Sequence, residues 1–468
     1  MLTSLLLTFA VTLRFLLLLR LLPPPTDNGA RIHSNSWGAN VNAYTVPTTQ
    51  VDEFMAQRDD MLILFAAGNS GADGPGSIGA PATCKNCLTV GASENNDPAS
   101  AAGPLQDGNM AVFSSQGPSI GARYKPDIAA PGFFVSSSNS NSEGDCPITE
   151  MAGTSMATPV TAGNTALVRQ YFREGFWPAG AKGSGNPILL SGAGMKALMI
   201  HSGQELTGTY QDKPLTPPPS NLQGFGRIQL DHILFPQKSS ATGNKAPSDR
   251  MILVDDASKP INPGEEHSYQ VGVSTSPDPL LGTTVKVTLV WTDAPGESMA
   301  TNPLINNLDL TVDGMPGNGR PDSANTVEQV ITQATGAPIT VKVKGTAVPQ
   351  GPQKYALVIT GPLDNPSPPP MPKQARPPPP PYPPGGGPDG GGIGTTTVLF
   401  VVALAFGYWK MSSKEEETGQ NANVDLPPPA SSSASLPQGW RKMADASSGA
   451  SYYHNSETGA TQWTVPTE

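Results

Sequence analysis

The sequence predicts a multidomain chain: an α/β domain on a parallel sheet, an antiparallel β-sandwich, a single transmembrane helix and a small three-stranded all-β unit. Three observations carry this. Between about residues 28 and 235, short apolar runs alternate with helix-like stretches, the pattern of βαβ units. From 246 to 362, short strands with turn residues between them follow one another, the pattern of a sandwich. The 50 glycines and 51 prolines among 468 residues exceed ordinary usage, so irregular linkers must separate folded parts.

Residues 1–25 form a hydrophobic N-terminal segment. Its core, LTSLLLTFAVTLRFLLLLRLL at 2–22, carries Arg14 and Arg20 and lacks a basic start and a small-residue cleavage site. An uncleaved signal anchor, a poor signal peptide and a mispredicted gene start all fit this pattern. In residues 26–235 the runs MLILFAA (61–67), CLTVGA (87–92) and KPDIAAPG (125–132) read as strands, and VDEFMAQRDD (51–60) reads as a helix. Residues 246–362 supply RMILVDD, HSYQVGVST, TTVKVTLVWTD, LDLTVDG, PITVKVKG and QKYALVITG as sandwich strands. Residues 363–392 are a polyproline then polyglycine linker, stiff first and flexible later.

Residues 393–411, IGTTTVLFVVALAFGYWKM, have no charge before Lys410 and place Tyr408 and Trp409 at the end. This length sits at the lower limit for crossing about 30 Å of hydrocarbon, and aromatic residues favour the interface. Lys410 and Lys414 follow, so the positive-inside tendency puts the C-terminal tail in the cytoplasm and the preceding domains in the extracellular or lumenal space. Residues 412–435 are a polar, disordered linker, and an aromatic-rich unit closes the chain at 436–467.

Charged residues make up 14% and the net charge is −10, which argues against nucleic acid as a partner. Three cysteines cannot build a disulfide scaffold, and one Cys-x-x-Cys pair is half a zinc site at best. In an exported domain, two of Cys84, Cys87 and Cys146 are expected to pair and leave one thiol over.

GTSMATPVTAG (153–163) places Ser155 after Gly153 at the start of a helix-like run. There its own N–H can face a developing oxyanion in the positive field of the helix end. An isolated Gly-x-Ser would read as a helix cap. Upstream, FAAGNSG (65–71) ends a buried strand with Asn69 in a glycine-flanked turn. Its amide can donate to the same oxyanion, though alone it would be an ordinary turn asparagine.

HSNSWG (33–38), AAGNSG (66–71), FSSQGPSIGARYKPDIAAPG (113–132) and GTSMATP (153–159) occur in this order. They resemble successive motifs of subtilisin-like serine proteases, the subtilases. GFGRI (224–228) resembles the last core segment of that family. LVWTDAPG (289–296) and LINNLDLTVDG (304–314) resemble the jelly-roll domain that some subtilases carry behind the protease. The resemblance covers about residues 28 to 362. It implies that Ser155 is the nucleophile, that Asn69 is the oxyanion-hole side chain, and that Ser34, Asn35, Ser36, Trp37 and Gly38 line the substrate cleft as an edge strand. Jelly-roll subtilases often bind calcium, and Asp293, Asn306, Asn307 and Asp309 offer the oxygen ligands it prefers. Loop solvation accounts for the same residues, so no metal ligands are assigned and calcium stands only as the cofactor the resemblance allows.

The family carries its catalytic Asp and His before the motif matched by 33–38, in Asp-[ST]-Gly and His-Gly-Thr contexts. None of the five histidines here precedes Gly-Thr, and the first aspartate is Asp27, in TDNGA. His33 corresponds to a histidine that precedes the cleft motif in jelly-roll subtilases without being the base. The expectation is a subtilase without its first third, inactive as written, for which a truncated gene model is the simplest account.

LPQGW (436–440), YYHN (452–455) and TQWTVP (461–466) are spaced like a WW domain. That resemblance places Tyr452, His454, Thr461 and Trp463 in a groove for proline-rich peptides of the PPxY type, and gives Trp440, Tyr453 and Pro466 a structural role. Pre-extended polyproline ligands lose little entropy on binding. Pro379 to Tyr382 reads Pro-Pro-Pro-Tyr, on the opposite side of the predicted membrane. Two functions follow: a membrane-anchored endopeptidase acting on extended peptides and recruiting a partner through its WW domain, or a pseudoprotease adaptor.

Overall fold

The computed structural model describes residues 29–95, 106–139, 147–235, 247–255, 259–364, 440–444, 451–455 and 461–462. The predicted N-terminal segment 1–25, the transmembrane segment 393–411, linker residues 365–392 and 412–435, Asp27, Cys146 and Trp463 lie outside these residues, whereas Leu363, predicted as the start of the linker, is buried in the sandwich core. Among the described residues, no helix is long and apolar enough to cross a membrane.

The α/β domain is built on a parallel sheet of β1 (Ile32–Asn35), β2 (Leu62–Ala66), β3 (Leu88–Ser93) and β4 (Ile128–Pro131), in that spatial order. β2 and β3 are buried at every position. Strands of a parallel sheet are covered on both faces, so they read as continuous apolar runs rather than as alternation. Between β1 and β2, helix α1 (Val46–Gln57) starts with a proline in its first turn, where a missing N–H costs little. It buries Val51, Phe54 and Met55 at helical spacing.

Two antiparallel ribbons decorate the domain: β5 (Val135–Ser138) with β6 (Ile148–Met151), and β7 (Thr209–Tyr210) with β8 (Lys213–Pro214). Helix α2 (Thr154–Arg173) lies across all four sheet strands, and α3 (Gly192–His201) packs on α2 and β2.

The sandwich pairs two antiparallel sheets. One has β14 (Val327–Gln333), β11 (Thr284–Val290), β16 (Ala356–Thr360) and β9 (Met251–Asp255) in that order. The other has β10 (Glu266–Val271), β15 (Ile339–Ala347), β12 (Asn307–Val312) and β13 (Met315–Pro316). On β12, buried Leu308, Leu310 and Val312 alternate with half-buried residues, as a strand with one face in the core must. β16 is buried at all its positions because α3 covers its outer face. Sequence alternation did not reveal β14, where Glu328 and Gln329 are both buried and break the apolar pattern.

The two domains share a polar, buried seam. A disulfide joins Cys84 to Cys87 and brackets the two residues that grip the sandwich. Lys85 donates from Nζ to Asp293 Oδ2 and to the carbonyls of Ala294 and Pro303. Asn86 donates to the Asp293 carbonyl at 2.8 Å and accepts the Asp293 N–H at 2.9 Å. The Asp293 carboxylate also accepts the N–H groups of Ile305 and Asn306. Both of its oxygens are therefore engaged by hydrogen-bond donors. Among the described residues, no group of three His, Cys, Asp or Glu could hold a metal ion.

β17 (Trp440–Ala444), β18 (Ser451–Asn455) and β19 (Thr461–Gln462) form the expected three-stranded antiparallel unit. Its register sets His454 opposite Thr461 and Trp440 opposite Asn455.

Candidate active site

Ser155 is the second residue of α2, and Gly153 is the residue before that helix. Gly153 adopts φ 150°, which side-chain-bearing residues rarely reach, and its N–H donates to Gly132 O at 2.8 Å. The helix lacks a cap from its own N-cap side chain. Asn69, arriving from the turn after β2, supplies one. Its Oδ1 accepts both the backbone N–H and the hydroxyl of Thr154, each at 2.9 Å. Thr154 Oγ1 in turn accepts the N–H of Gly68 at 3.2 Å. This exchange satisfies an otherwise orphan donor of the first turn and fixes the orientation of the Asn69 amide.

With Oδ1 committed, Nδ2 is the end of the amide left to donate. A β-carbon placed on Gly153 would lie 3.4 Å from Asn69 Nδ2 and 3.6 Å from the Ser155 backbone nitrogen. Asn69 Nδ2 and the Ser155 backbone nitrogen thus border one volume where Gly153 carries no side chain, with the Met156 sulfur also 3.6 Å from it.

The predicted cleft segment is shorter as a strand than expected. β1 ends at Asn35, and Ser36, Trp37 and Gly38 turn away from β2 before Ala39 bridges to Ala80. The reason is that their polar groups bond elsewhere. Ser36 Oγ donates to Ser155 O, and Trp37 Nε1 donates to Asn35 Oδ1 while its ring meets Phe65 edge-on at 5.4 Å. Asn35 donates to Leu64 O and to His33 Nδ1. Ser34 pairs with Leu64 within the sheet, and β1 ends the order of the described strands.

The Ser155 hydroxyl donates only weakly, to Ser36 O at 3.4 Å. No histidine whose side chain is described bonds to it. Burial pushes His33 down to about 4, so it is neutral at pH 7, with Nδ1 occupied by Asn35. His201 is fully buried, with one ring nitrogen 2.8 Å from Thr288 Oγ1 and the other 2.8 Å from Thr360 Oγ1. Burial drives its pKa well below the ordinary imidazole value. His232 meets Ser202 O, and His267 lies between Tyr355 and Glu265.

The structure thus brings together Ser155, Asn69 and Ser36 from the predicted set, and adds Thr154 and Gly132, which sequence motifs had not singled out. Tyr452, His454 and Thr461 lie on adjacent strands of the C-terminal unit.

Residues 13–226 match the model of the subtilase family, and residues 436–466 match that of the WW domain. The serine protease/ABC transporter B family protein tagB of Dictyostelium discoideum is 29% identical over 463 residues, covering 72% of this chain and 24% of the relative. Serine protease AprX of Bacillus subtilis is 38% identical over 120 residues, covering 24% of this chain and 26% of the relative. The chain therefore spans about a quarter of the length of these relatives. Among solved structures, sphericase is 24% identical with a TM-score of 0.33, covering 44% of this chain and 59% of that one. The chain accordingly carries a subtilase-family domain at residues 13–226 and a WW domain at residues 436–466.

Proposed function

We propose that the α/β domain is the nucleophile-bearing part of a subtilisin-like serine endopeptidase. Ser155 attacks the scissile carbonyl, and Asn69 Nδ2 together with the Ser155 N–H receives the oxyanion. The observation that carries this is the bond from Thr154 to Asn69 Oδ1, which leaves Nδ2 beside the Ser155 N–H across Gly153. Preorganised donors of this kind stabilise charge as it develops. An extended peptide runs along Ser34 to Gly38. The segment 393–411 anchors the chain in a membrane, and the WW domain on the other side binds proline-rich peptides through Tyr452, His454, Thr461 and Trp463.

Serine is a weak nucleophile unless a positioned base takes its proton. No described histidine side chain bonds to Ser155, so on this reading the base must come from outside the described residues. In subtilisin itself, loss of the triad histidine costs on the order of 10^6 in rate. The full chain is expected to resist stoichiometric labelling by a fluorophosphonate and to leave extended peptides uncut. A product of a longer transcript that encodes Asp-[ST]-Gly and His-Gly-Thr upstream is expected to label and cleave, and to lose both in Ser155→Ala. Labelling and turnover by the chain as written overturn its inactivity, and activity of the longer product that survives Ser155→Ala overturns the nucleophile assignment. The second reading, an adaptor acting through its WW domain, is favoured by that domain's presence; it gains ground if no upstream frame carries the two motifs.

A further inference from the structure

Between the α/β domain and the sandwich lies a partly open pocket of about 10 Å³, room for one small occupant. Lys85, Arg123, Lys125, Asp127 and Phe225 line it from one domain, and Asn325, Thr326 and Val327 from the other. Lys85, Arg123 and Lys125 are each only 2% exposed. Lys85 is neutralised by Asp293 and Lys125 by Asp127, both at 2.5 Å. Asp127 is also shared with Lys196, at 3.6 Å.

Arg123 is different. Its Nε donates to Ile120 O and its Nη2 to Thr83 O, both neutral carbonyls, while Nη1 has no hydrogen-bond partner. The carboxylate of nearby Asp52 is already taken by the Tyr44 hydroxyl and the N–H groups of Lys85 and Asn86. A buried guanidinium with an unbonded N–H group and no bonded carboxylate is costly unless something compensates it. Burial above all, with smaller contributions from the charges of Lys196 and Arg123, also holds Lys125 down to about 7 against the pull of Asp127.

We propose that this pocket binds a single small monovalent anion of the chloride class, held by Arg123 Nη1 beside the sandwich residues Asn325 and Thr326, and that the ion ties the two domains together. The carboxylates of Asp52 and Asp127 offset part of the Arg123 charge from a distance, but neither bonds to Nη1; a neutral water would satisfy that N–H group without adding to the offset, and a carboxylate or phosphate ligand is too large for the space.

The test uses thermal and urea unfolding of the full chain at fixed ionic strength, with gluconate, which is too bulky to enter, progressively replaced by chloride. Above the dissociation constant, the folding equilibrium constant should rise about tenfold for each tenfold increase in chloride, and Arg123→Gln should abolish that dependence. Coincident wild-type curves in chloride and gluconate overturn the site, as does an equal chloride response in Arg123→Gln. Should that variant fail to fold, crystals of the unaltered chain grown in bromide decide the matter. An anomalous peak within hydrogen-bonding distance of Arg123 Nη1 supports the site, and density there without anomalous signal, an ordered water, overturns it.

Discussion

Ser36 and Ser155 bond to each other reciprocally: Ser36 Oγ donates to Ser155 O at 2.9 Å, and Ser155 Oγ donates to Ser36 O at 3.4 Å. The reason for the first bond lies four residues on, inside α2. Pro159 has no N–H, so the Ser155 carbonyl lacks its helical donor and the Ser36 hydroxyl takes that place. Ser36→Ala should therefore destabilise the chain by about 1 kcal/mol, with faster amide exchange confined to the first turns of α2. Unchanged exchange in that helix would sink this account of Ser36.

Asn69 caps α2 through Thr154, and the proposed function gives it a second, separable job at the oxyanion. Asn69→Ala removes the acceptor for Thr154 and should cost about 1 kcal/mol of stability, as loss of a helix cap does. Asn69→Asp keeps an oxygen acceptor, which the helix end favours, but cannot donate. In the base-containing longer product, Asn69→Asp should retain stability while lowering turnover by about 10²–10³. Equal turnover in Asn69→Asp and wild type removes Asn69 from the oxyanion role.

At the seam, Lys85 and Asp293 are both fully buried in their side chains. Removing one partner strands the other charge, so Lys85→Met should destabilise by about 3–5 kcal/mol, whereas the double change Lys85→Met with Asp293→Leu should recover much of it. Urea unfolding of both variants reports this directly. A double variant no more stable than the single one contradicts the explanation.

Acid should weaken the fold through His33. Its folded-state value is about 4 against an ordinary 6.5, so between these pH values the unfolded chain binds more protons. Stability then falls as pH drops from 6.5 to 4, by up to about 3 kcal/mol from this residue. Buried His201 acts in the same direction. The slope of unfolding free energy against pH should be shallower in His33→Gln, and identical slopes in the two proteins count against the assignment.

Much of the fold was legible because its signals are local. MLILFAA and CLTVGA are apolar throughout since β2 and β3 are buried on both faces, and LDLTV alternates because β12 has one face in the core. Ser155 and Asn69 were visible as motifs. Thr154 was not, because its role appears only when positions 69 and 154 meet in space. The seam was equally hidden: in ARYKPD (122–127) the charges of Arg123 and Lys125 look like those of a solvated loop, yet both are almost wholly buried. Burial of a cation depends on partners far along the chain, and no local pattern records it.

Helix α3 is buried along its whole length, inside the α/β domain and against β11 and β16 at once. Neither half owns it. A change at His201 strands Thr288 and Thr360, residues 87 and 159 positions away, so a substitution in the helix is felt in the sandwich at once. Swapping either for a distant cousin's counterpart would leave one helix mismatched on both sides.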